Sequence, residues 1–185
     1  MNVVPAKDNL FAKIDVNMPR NIDISRLKGT SQVVYDKSET ISLIYFHIKD
    51  MQYFSKIFPY VCMIQPTEIF YTELNGIGVL HPHKDYTTSC VLNYYFESNN
   101  STTFLYEPIG DPFFAPGAKT ANIFKFEDIK EVGNFTAESY DTYLLNVSKP
   151  HCVFNPPPGN RKFISWQWNN TSYEEVLENL THSTL

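Results

Sequence analysis

Residues 81–85 read His-Pro-His-Lys-Asp, inside a strand-like run that begins at Val79. Side chains alternate between the two faces of an extended strand, so His83 and Asp85 are expected on the same side. A second stretch, Lys-Pro-His-Cys-Val at residues 149–153, puts His151 at the start of another strand-like run. If these two strands meet, two imidazoles and one carboxylate converge on a common point.

Two histidines and one carboxylate form a ligand set that leaves half of an octahedral metal open, as in non-haem Fe(II) sites. The His-x-Asp pattern alone is a weak signal, because an exposed strand with two polar side chains has the same appearance. His81 is a competing ligand, since it shares the alternation of His83. We favour His83, because it lies two residues from Asp85 and Pro82 disrupts regular pairing around His81.

Arg161 follows His151 with nine residues between them, which is enough for one turn and a return into a neighbouring strand. An arginine at the start of an apolar strand can simply lie at the rim of the sheet. If it points inward it is a buried cation, and a buried cation requires an anionic partner. A dicarboxylate co-substrate could supply that partner through a bidentate contact.

From residue 61 onward the chain is a series of short strand-like runs with almost no helix between them. Polar or Pro/Gly-rich breaks separate these runs, and the longest breaks are at 107–119 and 155–160. Many short strands at this spacing predict a mainly β fold, a jelly roll (double-stranded β-helix) with a few flanking helices, rather than a βαβ fold. We assign residues 61–170 to this β domain.

The two ends of the chain are predicted to flank that domain. Residues 1–60 form an N-terminal extension packing on the core, with strands at 32–35 and 41–48 and a short helix at 51–58 that Asp50 caps. Residues 171–185 form a C-terminal helix, because residues 172–175 fit a capping box and apolar residues follow at helical spacing.

Composition narrows the class of protein. With 185 residues, 43% hydrophobic and 15% aromatic, the chain is long enough to bury roughly 70% of its unfolded surface. The net charge of −5 disfavours broad binding to nucleic acid, which needs a cationic surface. Three cysteines without CxxC spacing, and no apolar run suited to export or membrane insertion, predict reduced thiols and a cytoplasmic protein with no membrane association.

Taken together, these motifs resemble the Fe(II)/2-oxoglutarate-dependent oxygenases, in the style of the prolyl-hydroxylase-like branch, over residues 60–168. The resemblance rests on a tyrosine before an Asn-Gly turn, then HxD, an aromatic strand, a distal histidine, and an arginine ten positions later: Tyr71, Asn75, Gly76, His83, Asp85, Asn93, Tyr94, Tyr95, Phe96, His151 and Arg161.

The resemblance implies that His83, Asp85 and His151 bind Fe(II), and that Arg161 binds the far carboxylate of 2-oxoglutarate. Tyr95, Asn93 and Tyr71 are further candidates for hydrogen bonds to this co-substrate. It also implies consumption of O2, release of succinate and CO2, ascorbate as a reductant, and hydroxylation of a peptidyl side chain or a small molecule. The iron centre does the chemistry, and no separate acid or base is assigned.

The sequence departs from the family in two places. Phe163 stands where many members have a serine two residues after the arginine, and Ser165 on the same strand face is a candidate substitute. Asn-Asn-Ser at 99–101 replaces the Gly-Gly that often precedes the Thr-x-Phe strand.

Two other functions stay open. One is a cupin-type metalloenzyme without 2-oxoglutarate, although its usual glutamate after HxH is missing. The other is a non-catalytic jelly-roll binding module.

The segment 107–119 is either a lid or recognition loop, or a packed surface loop.

Overall fold

The computed structural model describes residues 2–5, 10–37, 40–58, 64–112 and 121–182. Within these ranges the chain forms thirteen strands and three α-helices, with a short 3-10 helix at Phe126–Asp128. The strands are β1 (Asn2–Pro5), β2 (Phe11–Asp15), β3 (Lys28–Lys37), β4 (Ile41–Ile48), β5 (Glu68–Gly76), β6 (Gly78–Asp85), β7 (Cys90–Glu97), β8 (Thr102–Pro108), β9 (Ala121–Ile123), β10 (Ile129–Thr136), β11 (Thr142–Leu145), β12 (His151–Asn155) and β13 (Asn160–Trp168). The helices are α1 (Ile24–Leu27), α2 (Met51–Ile57) and α3 (Tyr173–His182).

The strands form two antiparallel sheets that enclose a core between them. The major sheet has the order β1-β2-β11-β7-β13-β5-β4-β3, and the minor sheet has the order β10-β8-β12-β6-β9. The central pairs of the major sheet and all pairs of the minor sheet join strands that are not consecutive in the chain, as a jelly roll requires. The predicted fold class is therefore confirmed: the protein is a mainly β jelly roll with few helices.

Alternation along the major sheet gives it two buried faces. On β13, Trp166 and Trp168 pack outward with α2 and α3, in a cluster that also contains Phe54 and Tyr173. Phe163 packs inward, against the second cluster between the two sheets. Because both faces are covered, the central strands of this sheet are apolar on both sides.

The first sixty residues extend both edges of the major sheet. β2 pairs with β11, with Ala12 opposite Leu144, and β4 pairs with β5, with Leu43 opposite Leu74. The described part of 1–60 thus contributes strands to the hydrogen-bonded major sheet, and the division of the chain at residue 60 stays a prediction. The predicted strand at 32–35 is the centre of the longer β3.

The two helices that the sequence predicted form with their expected caps. The Asp50 side chain accepts a hydrogen bond from the Tyr53 amide at 2.9 Å at the start of α2. In the capping box of α3, the Glu175 amide donates to Ser172 Oγ at 3.2 Å, and the Ser172 amide donates to Glu175 Oε2 at 2.9 Å. Among the described residues, none of the helices combines the length and the apolar character needed to span a bilayer. Residues 113–119, most of the segment for which a lid and a packed surface loop both stay open, lie outside the described ranges.

Candidate metal and anion site

A bulge in β6 directs its metal-ligand candidates toward the interior. His151 on β12 pairs with His83, and Val153 pairs with Leu80, so two residues of β12 match three of β6. The extra residue in β6 changes which of its side chains face the interior on either side of the bulge. Leu80, His83 and Asp85 consequently all line the space between the sheets, whereas His81 does not belong to the cluster of metal-ligand candidates.

The three predicted ligands meet. One ligand atom from each of His83, Asp85 and His151 lies within 4.8 Å of the other two. The imidazole centroids are 4.3 Å apart, and His83 Nε2 is 3.8 Å from Asp85 Oδ1. Three ligands that leave half of an octahedron open lie at right angles to one another, about 3 Å apart for bonds of about 2.1 Å. The three ligand atoms must therefore move closer together by up to about 2 Å to close on one ion.

Hydrogen bonds from both imidazoles determine which ring nitrogens face the cluster centre. His83 Nδ1 lies 2.7 Å from the His81 carbonyl oxygen, and His151 Nδ1 lies 3.0 Å from the Lys149 carbonyl oxygen. A carbonyl oxygen only accepts, so each Nδ1 must carry the proton and donate it. In the neutral ring, Nε2 then has its lone pair available for a metal. The hydrogen bond from Nδ1 to a carbonyl oxygen is the usual outer-sphere support of a histidine ligand.

Burial shifts the pKa values of Asp85 and His151 in opposite directions, each toward the neutral form of the group. Burial raises the pKa of the Asp85 carboxyl to about 6, although neighbouring His83 opposes the rise. Burial, followed by the charge of His83, lowers the pKa of His151 to about 3, although its hydrogen bond to Lys149 opposes this. His151 therefore stays neutral at physiological pH, as metal ligation requires. A divalent ion would offset the cost of holding the Asp85 carboxylate in its ionised form.

These residues fit a divalent metal. Two imidazole nitrogens and one carboxylate oxygen suit Fe(II) or a similar transition-metal ion, and they fill only half of an octahedral sphere. The remaining positions would face the pocket between the sheets.

Arg161 lines the same pocket. Its side chain is 2% exposed. The guanidinium carbon is 4.5 Å from the centroid of the Tyr95 ring and 5.5 Å from that of Phe163. Its hydrogen-bond acceptor is the Thr103 hydroxyl, 3.4 Å from Nη1 and 3.3 Å from Nη2.

The charge of Arg161 has no protein counter-ion among the residues that the structure describes. No carboxylate in those ranges forms an ion pair with it, and its Nε atom is buried without an acceptor. A buried cation in this state is costly unless an anion joins it. Arg161 is therefore a candidate anion-binding residue.

The strand register sets the separation between the two ends of the pocket. Thr103 on β8 pairs with Val153 on β12, and Leu105 pairs with His151. Thr103, which contacts Arg161, is thus two residues along the strand from the position that pairs with His151. Two residues correspond to about 7 Å along the strands. A ligand that contacts both ends must span roughly this step.

The pocket that joins the two ends encloses about 70 Å³. Apolar side chains form most of its wall: Leu43, Leu74, Leu80, Val91, Leu145, Val147, Val153 and Phe163. Apolar walls with a few convergent polar groups are typical of small-molecule sites.

The predicted co-substrate residues have different positions. Asn93 lines the pocket, its Nδ2 donates to the Tyr95 hydroxyl at 3.3 Å, and its Oδ1 is buried without a donor. Tyr95 is fully buried on the same face, beside the guanidinium. Ser165, the candidate substitute for the missing serine, also lines the pocket.

Tyr71 lies away from the pocket, contrary to our expectation. It packs in the cluster on the outer face of the major sheet, where its hydroxyl donates to Glu73 Oε1 at 2.9 Å. Leu74 and Thr72 alternate with it, and Leu74 is the residue of β5 that lines the pocket. We therefore remove Tyr71 from the candidate site.

Sequence reasoning missed two pocket residues. Tyr45 of β4 lines the pocket, and its ring stacks on Phe70 with centroids 4.9 Å apart. Burial raises the pKa of its hydroxyl, and the charge of Asp85 raises it further. Thr103 is the other missed residue. Strand alternation from Thr103 to Leu105 could have indicated its inward direction, but nothing in the sequence connected that strand with Arg161.

Comparison with known proteins does not assign a family. No family model matches the chain, and no curated protein matches it. Three similar solved structures are E. coli ycfD (11% identity, TM-score 0.45, 77% of this chain and 37% of that one), vicilin from Capsicum annuum (13%, 0.42, 78% and 31%) and an oxalate decarboxylase formate complex from Lactobacillus farciminis (16%, 0.38, 85% and 36%). This chain thus spans about a third of the length of those proteins.

Proposed function

We propose that the protein is an Fe(II)- and 2-oxoglutarate-dependent oxygenase that hydroxylates a peptidyl side chain or a small molecule and releases succinate and CO2. The observation that carries the proposal is the position of Arg161. A buried guanidinium, without a counter-ion among the residues that the structure describes, lines the same pocket as a His/Asp/His cluster. That combination suits a ligand with a carboxylate at one end and metal-binding oxygens at the other.

In this proposal the residues divide the work between two ends of the pocket. His83, Asp85 and His151 would hold the metal, and Arg161 would pair with the far carboxylate, with Asn93 and Tyr95 nearby as further polar contacts. Bound iron and 2-oxoglutarate would supply, with O2, the oxidative chemistry that protein side chains lack. No separate acid or base is assigned, and ascorbate is the expected reductant in the assay.

The surroundings of the two ends support an orienting role for the protein. The wall between metal and guanidinium is mostly apolar, and low-dielectric surroundings strengthen the pairing of Arg161 with an anion. Each histidine is fixed by its carbonyl contact, so the donor atoms are oriented before the metal binds.

A second candidate is a cupin-type metalloenzyme that binds a small carboxylic acid directly, without 2-oxoglutarate. The observation in its favour is the small pocket volume of about 70 Å³, which is several times the roughly 10–15 Å³ needed for one water. A four-carbon acid would fit such a space and still be long enough to connect Arg161 with the metal.

The deciding experiment measures succinate formation from 2-oxoglutarate with Fe(II), O2 and ascorbate, together with binding of Mn(II) and 2-oxoglutarate by calorimetry. His83→Ala should abolish both succinate formation and metal binding. His81→Ala is the matched control, because it removes an imidazole two residues away but keeps the carbonyl that His83 contacts.

Each outcome selects one function. Succinate formation that depends on His83 supports the oxygenase. Metal binding without 2-oxoglutarate affinity, but with affinity for smaller acids, would replace it with the cupin-type enzyme. Absence of metal binding would leave only a binding module. We expect a small-molecule or peptide substrate; the cytoplasmic location and the exclusion of nucleic acid and membrane remain predictions from composition.

A further inference from the structure

Arg161 and its hydrogen-bond acceptor come from opposite sheets. Arg161 is on β13 of the major sheet, and Thr103 is on β8 of the minor sheet. The Thr103 hydroxyl lies within 3.4 Å of both terminal guanidinium nitrogens. Thr103 is 1% exposed, and it lines the pocket. The hydroxyl and the cation therefore converge on the same buried space.

The Thr103 hydroxyl still has a proton that it can donate to a ligand. A threonine hydroxyl can accept through its lone pairs and still donate its own proton. The guanidinium, which has no lone pair to offer, uses only the accepting capacity of Thr103. Both contacts are also longer than the usual 2.7–3.2 Å for N–H···O bonds, so they satisfy the guanidinium poorly.

On the major sheet the Tyr95 ring lies beside the guanidinium, but no hydroxyl of a described residue of that sheet hydrogen-bonds to Arg161. The next inward residue of β13 is Phe163, whose ring lies 5.4 Å from that of Tyr95 and close to the guanidinium. Ser165 is a further two-residue step along β13, about 7 Å beyond Phe163. Among the described residues, the hydroxyl that hydrogen-bonds to the guanidinium is therefore that of Thr103.

We propose that Thr103 is a ligand-binding residue, whose hydroxyl donates a hydrogen bond to the carboxylate that pairs with Arg161. The carboxylate is then held between the two sheets, by a cation on one and a neutral donor on the other. The identity of the ligand as 2-oxoglutarate rests on the proposed function, whereas the subsite itself would take any carboxylate that reaches it.

The experiment compares Thr103→Val with wild type in calorimetric titrations of the Mn(II)-loaded protein with 2-oxoglutarate, succinate and oxalate. Valine keeps the shape of threonine and removes the hydroxyl. We expect the Kd for the bound carboxylate to rise about tenfold, since a hydrogen bond to a charged group is lost. Thr103→Ser should restore affinity to within about threefold of wild type.

The matched control is Thr102→Val, which changes the adjacent residue, whose hydroxyl contacts Thr136 at 2.8 Å outside the pocket. It should leave carboxylate affinity unchanged. Mn(II) affinity should be unchanged in all of these variants, because the metal row lies one step away. If Thr103 had a merely structural role, Thr103→Val would instead reduce Mn(II) affinity and thermal stability along with carboxylate affinity. Thr103→Ser would then not restore carboxylate affinity separately from stability.

The outcomes distinguish this proposal from the proposed function. Carboxylate affinity in Thr103→Val within twofold of wild type overturns the role of Thr103, whether or not succinate is produced. A tenfold loss for succinate or oxalate, in a protein that does not turn over 2-oxoglutarate, supports Thr103 and rejects the oxygenase. If wild type binds none of the three carboxylates, both proposals are wrong. Should Thr103→Val fail to fold, Thr103→Ala removes the same hydroxyl.

Discussion

The two ends of the pocket hold their charges in different ways. At the metal end, Asp85 and His83 have side chains 24% and 13% exposed, and the cluster can change its protonation. At the other end, Arg161 is 2% exposed and carries a charge that it cannot lose at any ordinary pH. One end therefore adapts to its ligand by titration, whereas the other end depends on a ligand for its counter-charge.

Replacing the permanent charge should have the largest effect. Arg161→Met should weaken 2-oxoglutarate binding by about 100-fold, because it removes one partner of a buried charge pair. Affinity for Mn(II) should stay within about twofold of wild type. The ligand-free variant should be as stable as wild type, or more stable by about 1–2 kcal/mol, since an unpaired buried cation is replaced by an apolar side chain of similar length.

Calorimetry and thermal unfolding of the same samples measure these effects. Lys162→Met is the matched control, because Lys162 is the adjacent cation but forms its ion pair with Glu97 at 2.8 Å, away from the pocket. Equal loss of 2-oxoglutarate affinity in both variants would mean that overall charge, not the position of Arg161, controls binding.

Lowering the pH should affect the metal end next most strongly. Burial raises the pKa of Asp85 to about 6, so below that pH a proton competes with the metal for the carboxylate. Affinity for Mn(II) should fall about tenfold per pH unit between about 6 and 5. His151, whose pKa lies near 3, should not contribute in this range. A Mn(II) affinity that is flat from pH 7 to 5 would contradict ligation by Asp85.

The ionised Asp85 carboxylate, which should help metal binding, should lower the stability of the metal-free protein. A folded-state pKa above the ordinary value of 3.8 means that the ionised group destabilises the fold, fully above about pH 6 and not at all well below 3.8. In the presence of a chelator at pH 7.5, Asp85→Asn should therefore raise the free energy of unfolding by about 1–2 kcal/mol, after allowance for partial exposure.

Denaturant titrations at several pH values measure this gain. The gain should shrink between pH 6 and pH 4, where wild-type Asp85 takes up its proton. A gain that is independent of pH would point to packing rather than to charge as the cause.

The smallest effect on the site is expected from Tyr71. Tyr71→Phe removes a hydroxyl that contacts Glu73 on the outer face of the major sheet. It should lower stability by about 1 kcal/mol and leave the Kd for 2-oxoglutarate within twofold of wild type. Tyr95→Phe, on the inner face beside Arg161, is the comparison. A larger loss of ligand affinity in Tyr71→Phe than in Tyr95→Phe would contradict the assignment of the two faces.

Local rules were sufficient where one signal dominated. The period of two in a strand predicted that His83 and Asp85 share a face, and the structure confirms it. Capping chemistry predicted the starts of α2 and α3. Both kinds of inference concern residues within three positions of one another, so the rest of the chain had little opportunity to change them.

Tyr71 shows why other inferences were wrong. Phe70, Tyr71 and Thr72 are all nearly inaccessible, because the major sheet is covered on one face by the minor sheet and on the other by helices. Hydrophobicity then carries no information about which face is which. Because both faces are buried, the sequence pattern also did not show that Tyr45 on β4 faces the pocket, or that β3 and β4 belong to the major sheet.

The sequence by itself determined the mainly β class, the identities of the metal-ligand candidates and the presence of an arginine that could pair with an acid. Those features depend on residue type and short-range periodicity. Only the tertiary structure decided that the bulge at residues 80–83 points His83 inward, that Thr103 faces Arg161, and that Tyr71 turns away. Each of these depends on register and sheet packing between segments distant in the chain, where shifting one residue reverses the face of every side chain that follows.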